Sequence, residues 1–324
     1  MIKDGILNID KPAGWTSHDV VAKIRGLLRV KKVGHAGTLD PEATGVLPIC
    51  FGKGTKVVPF LMDAEKEYDV VLRLGEETDT QDATGQILRR VEVPSGMEGA
   101  VREAVESFVG TYEQMPPMYS AIKVKGVPLY RSARAGKVVE RTARVVSIRE
   151  IRFKGVEGRD AAFSVVCSKG TYVRTLCADI GVKSGVGGHL LRLRRTRAGQ
   201  FQISDSVELN RFCELYAEGN WEEEVYSLNE VLKDLPAVWV KEPYRRKVLH
   251  GATVGPEGVL NRSSFKKGEP IRILDSQSQL LAVGRATLDE DEIRRSRLPF
   301  FKTDTVLSED VGAHLEESVR SSLY

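Results

Sequence analysis

Residues 35–47, HAGTLDPEATGVL, set one carboxylate, Asp40, between a Gly-Thr-Leu turn and a proline. Gly34, Gly37 and Gly45 permit backbone angles that other residues avoid and let a ligand approach the main chain. Pro41 drives Asp40 towards an extended or turn conformation. Taken alone, an Asp-Pro in a glycine-rich bend is most often an Asx-type turn. Its company argues for more: a histidine, an acid and a threonine share the stretch with apolar flanks.

The surroundings fix the fold class. Thr16-Ser17 can cap a helix whose Val20, Val21, Ile24, Leu27 and Leu28 recur at helical spacing. Tyr68 to Leu74 (YDVVLRL) alternates and reads as a strand. Ala162 to Ser168 reads as another, followed by KGT and a helix with Val173, Leu176, Cys177 and Ile180 on one face. This irregular interleaving lacks the rhythm of a doubly wound sheet and predicts an α/β (α+β) fold with a mixed sheet. Glu208 to Leu232 reads as helical and acidic. Beyond Leu235-Pro236 come short strand-like runs, VWV, GATVG, IRIL and LLAVGRATL, which suggest a small barrel-like β domain.

At 324 residues the chain exceeds the usual single-domain size. With 41% hydrophobic and 29% charged residues it has the composition of a soluble globular protein with a sizeable core. No apolar run is long enough to span a membrane, and MIKDGILNIDKPAGW carries charges where a secretory signal would not. Cys50, Cys167, Cys177 and Cys213 show no CxxC spacing and fit reduced, mostly buried thiols, so a cytoplasmic location is expected. The histidines at 18, 35, 189, 250 and 314 form no metal-ligand spacing.

Net charge is only +3, but its distribution is uneven. Ala121 to Lys154 holds ten Lys or Arg against two Glu, Ile180 to Ser204 five basic residues and no acid, and Asp205 to Asp234 nine acids and two bases. That pattern reads either as a basic surface facing a polyanion or as uneven solvated faces. GKGTK at 52–56 fails as a phosphate-binding loop, because Leu47 stands where its leading glycine belongs and Gly54 replaces the Ser/Thr.

Five further blocks extend the motif around Asp40: KPAGWTSHDVV (11–21), GKGTK with KEYDVVLRLGEETDTQDATG (to Gly85), QMPPMYSAIKVKGVPLYRSARAG (114–136), CSKGTYVRTLCADIG, and GGHLLRLRRTRAGQF. In this order they resemble the TruB-type tRNA pseudouridine synthases over roughly residues 5–201. The resemblance implies a largely antiparallel mixed sheet of the pseudouridine synthase type in residues 1–234, with an RNA-binding insertion at about 114–145. It also implies a PUA-like β pseudo-barrel at 235–311, matched by VWVKEPYRRKVLHGATV, ahead of a polar tail at 312–324.

The implied reaction breaks the N1–C1′ bond of a uridine, turns the base and joins C5 to C1′, with no cofactor and no metal. Asp40 is the implied catalytic carboxylate, suited to stabilise charge at C1′, attack it, or take a proton from the sugar. Tyr68 would stack on the base, and its hydroxyl can help remove the C5 proton. Arg174 would pair with Asp40 and keep it ionised. Leu193 would hold the other side of the base, His35 would fill the space left by a flipped nucleotide, and Gly37 and Thr38 line the same loop. Lys11, Lys123, Arg131 and Arg134 would meet phosphates. The implied partner is tRNA, through its T-arm and acceptor stem, bound by a monomer that needs no protein partner. Two other readings stay open: a guide-RNA-dependent relative acting on ribosomal RNA, and a non-catalytic tRNA-folding chaperone.

Overall fold

The computed structural model describes residues 2–120, 123–124, 126–128, 139–295 and 298–308. The chain divides into two compact units, Leu7–Cys50 with Val58–Glu224, and Met1–Ile6 with Phe51–Val57 and Val225–Tyr324.

The first unit is built on a mixed sheet. Its strands are β1 (Gly5–Lys11), β2 (Val33–His35), β3 (Thr44–Phe51), β4 (Lys66–Leu74), β7 (Gly110–Gln114), β10 (Arg144–Glu157), β11 (Asp160–Cys167), β12 (Gly188–Ala198), β13 (Phe201–Gln202) and β14 (Val207–Glu208). The order is β14-β1-β3-β12-β4-β11-β10-β7, with β2 on β3 and β13 on β12; β15 (Val225–Tyr226) belongs to the second unit. The pairs from β12 through β4, β11 and β10 to β7 are antiparallel, while β1–β14 and β3–β12 are parallel. The mixed, largely antiparallel sheet is therefore as expected. Alternation in β4 buries Tyr68, Val70, Leu72 and Leu74 and turns Glu67, Asp69, Val71 and Arg73 to the other face. Two short hairpins leave the sheet: β5 (Glu76–Thr78) with β6 (Ile87–Arg90), and β8 (Lys123–Val124) with β9 (Val127–Pro128).

Helix α1 (Ser17–Leu28) starts with a capping box: the Thr16 hydroxyl accepts from Asp19 N, and the Asp19 carboxylate accepts from Thr16 N. It buries Val20, Val21, Ile24 and Leu28, as its spacing predicts. Helix α2 (Glu98–Glu106) precedes β7, and α3 (Val173–Lys183) follows β11 and packs on β12. The acidic stretch 208–232 departs from expectation. Helix α4 (Leu209–Glu218) stops at Gly219, whose φ of 84° closes it in a left-handed cap, and only one further turn, Leu228–Val231, is α-helical.

The second unit carries a five-stranded sheet in the order β17-β16-β18-β19-β20, from β16 (Ala237–Val240), β17 (Val259–Arg262), β18 (Pro270–Leu274), β19 (Leu280–Ala286) and β20 (Phe301–Val306). Val238, Ile271, Ile273, Leu281, Phe300 and Phe301 form its core with α5 (Glu242–Leu249). Three of the four runs expected as strands are strands. GATVG instead unwinds from α5 through Gly251, φ 78°. The stretch between GATVG and IRIL, GPEGVLNRSSFKKG (255–268), contains β17.

Candidate active site

Asp40 sits in the connection from β2 to β3, and neighbouring groups pin that connection from several sides. The Ser17 hydroxyl, on the first residue of α1, accepts from Leu39 N (2.9 Å) and donates to Leu39 O (3.1 Å). Gly14 N donates to Pro41 O at 3.0 Å. The Lys11 ammonium, fully buried, donates to the carbonyls of Pro12 (2.9 Å), Trp15 (2.6 Å) and Pro41 (2.8 Å). All three of its protons are used inside the protein. Lys11 is therefore a brace for the Asp40 loop and not the phosphate contact expected of it; burial pulls its pKa down to about 8.

A second buried cation closes the loop from below. Arg195 donates from Nε to Val46 O (2.7 Å) and from Nη2 to Gly37 O (3.0 Å), tying both ends of the loop to β12. Gly45 has φ 102°, and a Cβ there would lie 2.2 Å from Arg195 O, so no other residue fits.

Arg174 enters from the first turn of α3. The Gln114 side chain grips the preceding residue, accepting from Tyr172 N (2.7 Å) and donating to Tyr172 O (3.0 Å). The guanidinium pairs with Asp40 through both branches, Nε to Oδ2 at 2.9 Å and Nη2 to Oδ1 at 3.3 Å. Nη2 also donates to Tyr119 O (2.9 Å), and Nη1 faces Thr80 O and Asp82 Oδ2, each at 3.4 Å. Asp82 is held in turn by Thr84 N (3.0 Å) and the hydroxyls of Thr80 (2.7 Å) and Thr84 (2.6 Å). Arg174 is thus fixed between two carboxylates, with its side chain 7% exposed against 42% for Asp40. Asp40 is the member of the pair that a ligand can reach. Crowding by protein atoms raises its pKa above the usual carboxylate value; Arg174 opposes this, Asp82 adds to it and Lys11 opposes it weakly.

The floor comes from facing strands. Leu193 stands opposite Val70, and Arg195 opposite Tyr68, so Tyr68 and Leu193 are diagonal neighbours on one face. Tyr68 is buried, which raises its pKa, while the adjacent Arg195 pulls the other way. The phenol keeps its proton, so the expected help with the C5 proton cannot begin from a phenolate. His35 is half-buried, with an Nδ1 that finds no partner and a ring 6.5 Å from that of His18. Burial, with His18 and Arg195 nearby, lowers its pKa and keeps it neutral. Gly37 is half-buried, and Thr38 is exposed on the rim. Lys123 lies in the β8–β9 hairpin; Arg131 and Arg134 lie outside the described residues.

The site thus brings together Asp40, Arg174, Tyr68, Leu193 and His35. Sequence reasoning missed Asp82, Arg195 and Gln114. Each lies inside a block already quoted, but its partner is far along the chain.

The architecture is that of pseudouridine synthases carrying a PUA domain. An H/ACA ribonucleoprotein bound to a substrate RNA containing 2′-deoxyuridine matches over 95% of this chain and 86% of its own, with TM-score 0.75 and 28% identity. A Cbf5–Nop10–Gar1 complex matches over 94% and 85%, with TM-score 0.74 and 30% identity. Residues 25–173 match the N-terminal domain of TruB family pseudouridylate synthases, 174–238 the C-terminal domain of tRNA pseudouridylate synthase B, and 236–297 the PUA domain. The tRNA pseudouridine synthase B of Alkaliphilus oremlandii is 48% identical over 76% of this chain and 82% of its own. That of Syntrophotalea carbinolica is 41% identical over 92% and 96%. Within the pseudouridine synthases, the chain belongs to the TruB family and is a tRNA-modifying isomerase.

Proposed function

We propose that the protein converts the T-loop uridine at tRNA position 55 to pseudouridine, using Asp40 at the ribose of a flipped nucleotide. The observation that carries this is the two-pronged Asp40–Arg174 pair, whose exposed member lies close enough to bear on Tyr68, with Leu193 diagonal to Tyr68 on the neighbouring strand. The uracil stacks between Tyr68 and Leu193, and His35 takes the place the base has left. Asp40 acts at the sugar while the N1–C1′ bond breaks. The base then turns, C5 joins C1′, the C5 proton leaves and N1 is left carrying a proton. Tyr68 serves as the platform, and any proton passed through its hydroxyl is exchanged for its own. The insertion at 114–145 and the C-terminal unit hold the T-arm and acceptor stem. The protein works as a monomer in the cytoplasm, where its tRNA is.

Identity favours tRNA over guided ribosomal RNA: 41–48% to the tRNA pseudouridine synthases B against 28–30% to the H/ACA ribonucleoprotein and the Cbf5–Nop10–Gar1 complex. Asp40→Asn separates the enzyme from a chaperone. Pseudouridine formation at position 55 should fall at least about a thousandfold, roughly 4 kcal/mol in barrier, while tRNA affinity stays within about tenfold. Comparable turnover by the variant would end the assignment of Asp40. Modification at another uridine would end that of position 55.

A further inference from the structure

We propose that one exposed face of α1, with the turn that follows it, is a phosphate-binding ridge for the RNA strand leading away from the flipped uridine. From Val20 to Leu39 the chain carries Lys23, Arg25, Arg29, Lys31 and Lys32 and no acid. All five are exposed, and none makes an ion pair or side-chain hydrogen bond among the described residues. Elsewhere in the same unit, several exposed cations are neutralised: Arg149 by Glu65, Arg152 by Glu150, Lys154 by Asp69, Lys169 by Asp63.

Two of these cations also extend a line that starts at the exposed His18 ring. His18, Arg25 and Arg29 are spaced by seven and four residues, one face of the helix, over about 16 Å at 1.5 Å per residue. The line begins beside the base site, because the His18 ring is 6.5 Å from that of His35. It ends at Lys31 and Lys32, just before β2 returns to His35. Complementing the helix dipole accounts for Arg25, in the last turn of α1, but not for the lysines beyond it.

Arg29 supplies an independent sign. It caps α1 in the left-handed conformation, φ 52° and ψ 35°, where glycine is the unstrained choice. A strained arginine with no protein partner implies a use for its side chain outside the fold. Regularly spaced arginines and lysines suit a phosphodiester backbone, which gives affinity without sequence information.

The inference rests on tRNA being the substrate. Its test compares two triple variants of equal charge change, Arg29→Gly/Lys31→Ser/Lys32→Ser on the ridge and Arg149→Ser/Arg152→Ser/Lys154→Ser elsewhere. Binding of unmodified tRNA is followed from about 50 to 200 mM salt. Arg29→Gly relieves the backbone, and a melting curve checks that each variant is folded. The ridge variant should raise Kd about tenfold or more and flatten the slope of log K against log salt by roughly two to three, with the other variant near wild type. An unchanged slope in the ridge variant, or equal flattening in both, overturns the ridge. A wild-type chain that fails to bind tRNA overturns the substrate reading itself.

Discussion

On the open face of the sheet, cations meet anions near solvent: Lys154 reaches Asp69 at 2.6 Å, Arg149 reaches Glu65 at 2.7 Å, and Arg194 reaches Asp10 at 2.7 Å. In the cleft the charges are fewer and buried, and neighbours on several strands and loops hold each one: Lys11 among three carbonyls, Arg195 between Val46 and Gly37, Arg174 between Asp40 and Asp82. Exposed pairs contribute about 0–1 kcal/mol, whereas stripping one partner from a buried charge costs about 3–5 kcal/mol. The same residue types therefore do different work: solvation and mild pairing on one face, fixed geometry around Asp40.

Arg174→Lys tests that contrast most severely, because an ammonium cannot span both Asp40 oxygens. Single-turnover modification should slow by about a hundredfold or more, roughly 2.7 kcal/mol, with tRNA affinity little changed; a rate near wild type removes the pairing argument. Lys11→Met comes next. It leaves the carbonyls of Pro12 and Trp15 without that donor and that of Pro41 with Gly14 N, so denaturant titration should show a loss of about 2–4 kcal/mol together with slower turnover. Full stability would mean that the loop closes without its brace.

Asp82→Asn should act through pH. Asp40 must be ionised to act, and its pKa lies above the usual carboxylate value, so activity is lost as pH falls through a raised limb. Asp82 helps to raise it, and its neutralisation should move the acid limb of the rate profile to lower pH. A limb that stays put would show that another group controls it. Lys154→Ala, on the open face, should change stability by under about 0.5 kcal/mol and leave modification as it was. A large effect there would erase the distinction between the two faces.

Asp40, Arg174, Tyr68 and Leu193 could be singled out because each sits in a short motif, and the structure sets Arg174 against Asp40 and Leu193 diagonal to Tyr68. Lys11 was legible as a residue but not in its role, since a motif does not reveal that an ammonium is surrounded by carbonyls of its own loop. Asp82 and Arg195 were hidden by distance along the chain: their partners Arg174 and Val46 come from remote segments. The basic tally from 121 to 154 hid pairing for the same reason, as Arg149 and Lys154 meet Glu65 and Asp69 from the stretch around β4. The strands YDVVLRL and Ala162–Ser168 were clear from alternation, whereas the single Gly219 cut what composition presented as one long acidic helix.

Strand β12, which spans Gly188–Ala198, lies between β3 and β4, both made more than a hundred residues earlier. During synthesis the ribosome therefore releases two strands whose facing edges wait, unmated, for a third. Exposed edges of that kind invite pairing with other chains. That late strand also brings Leu193 and Arg195, so the interval of greatest risk ends at the step that sets them beside β4.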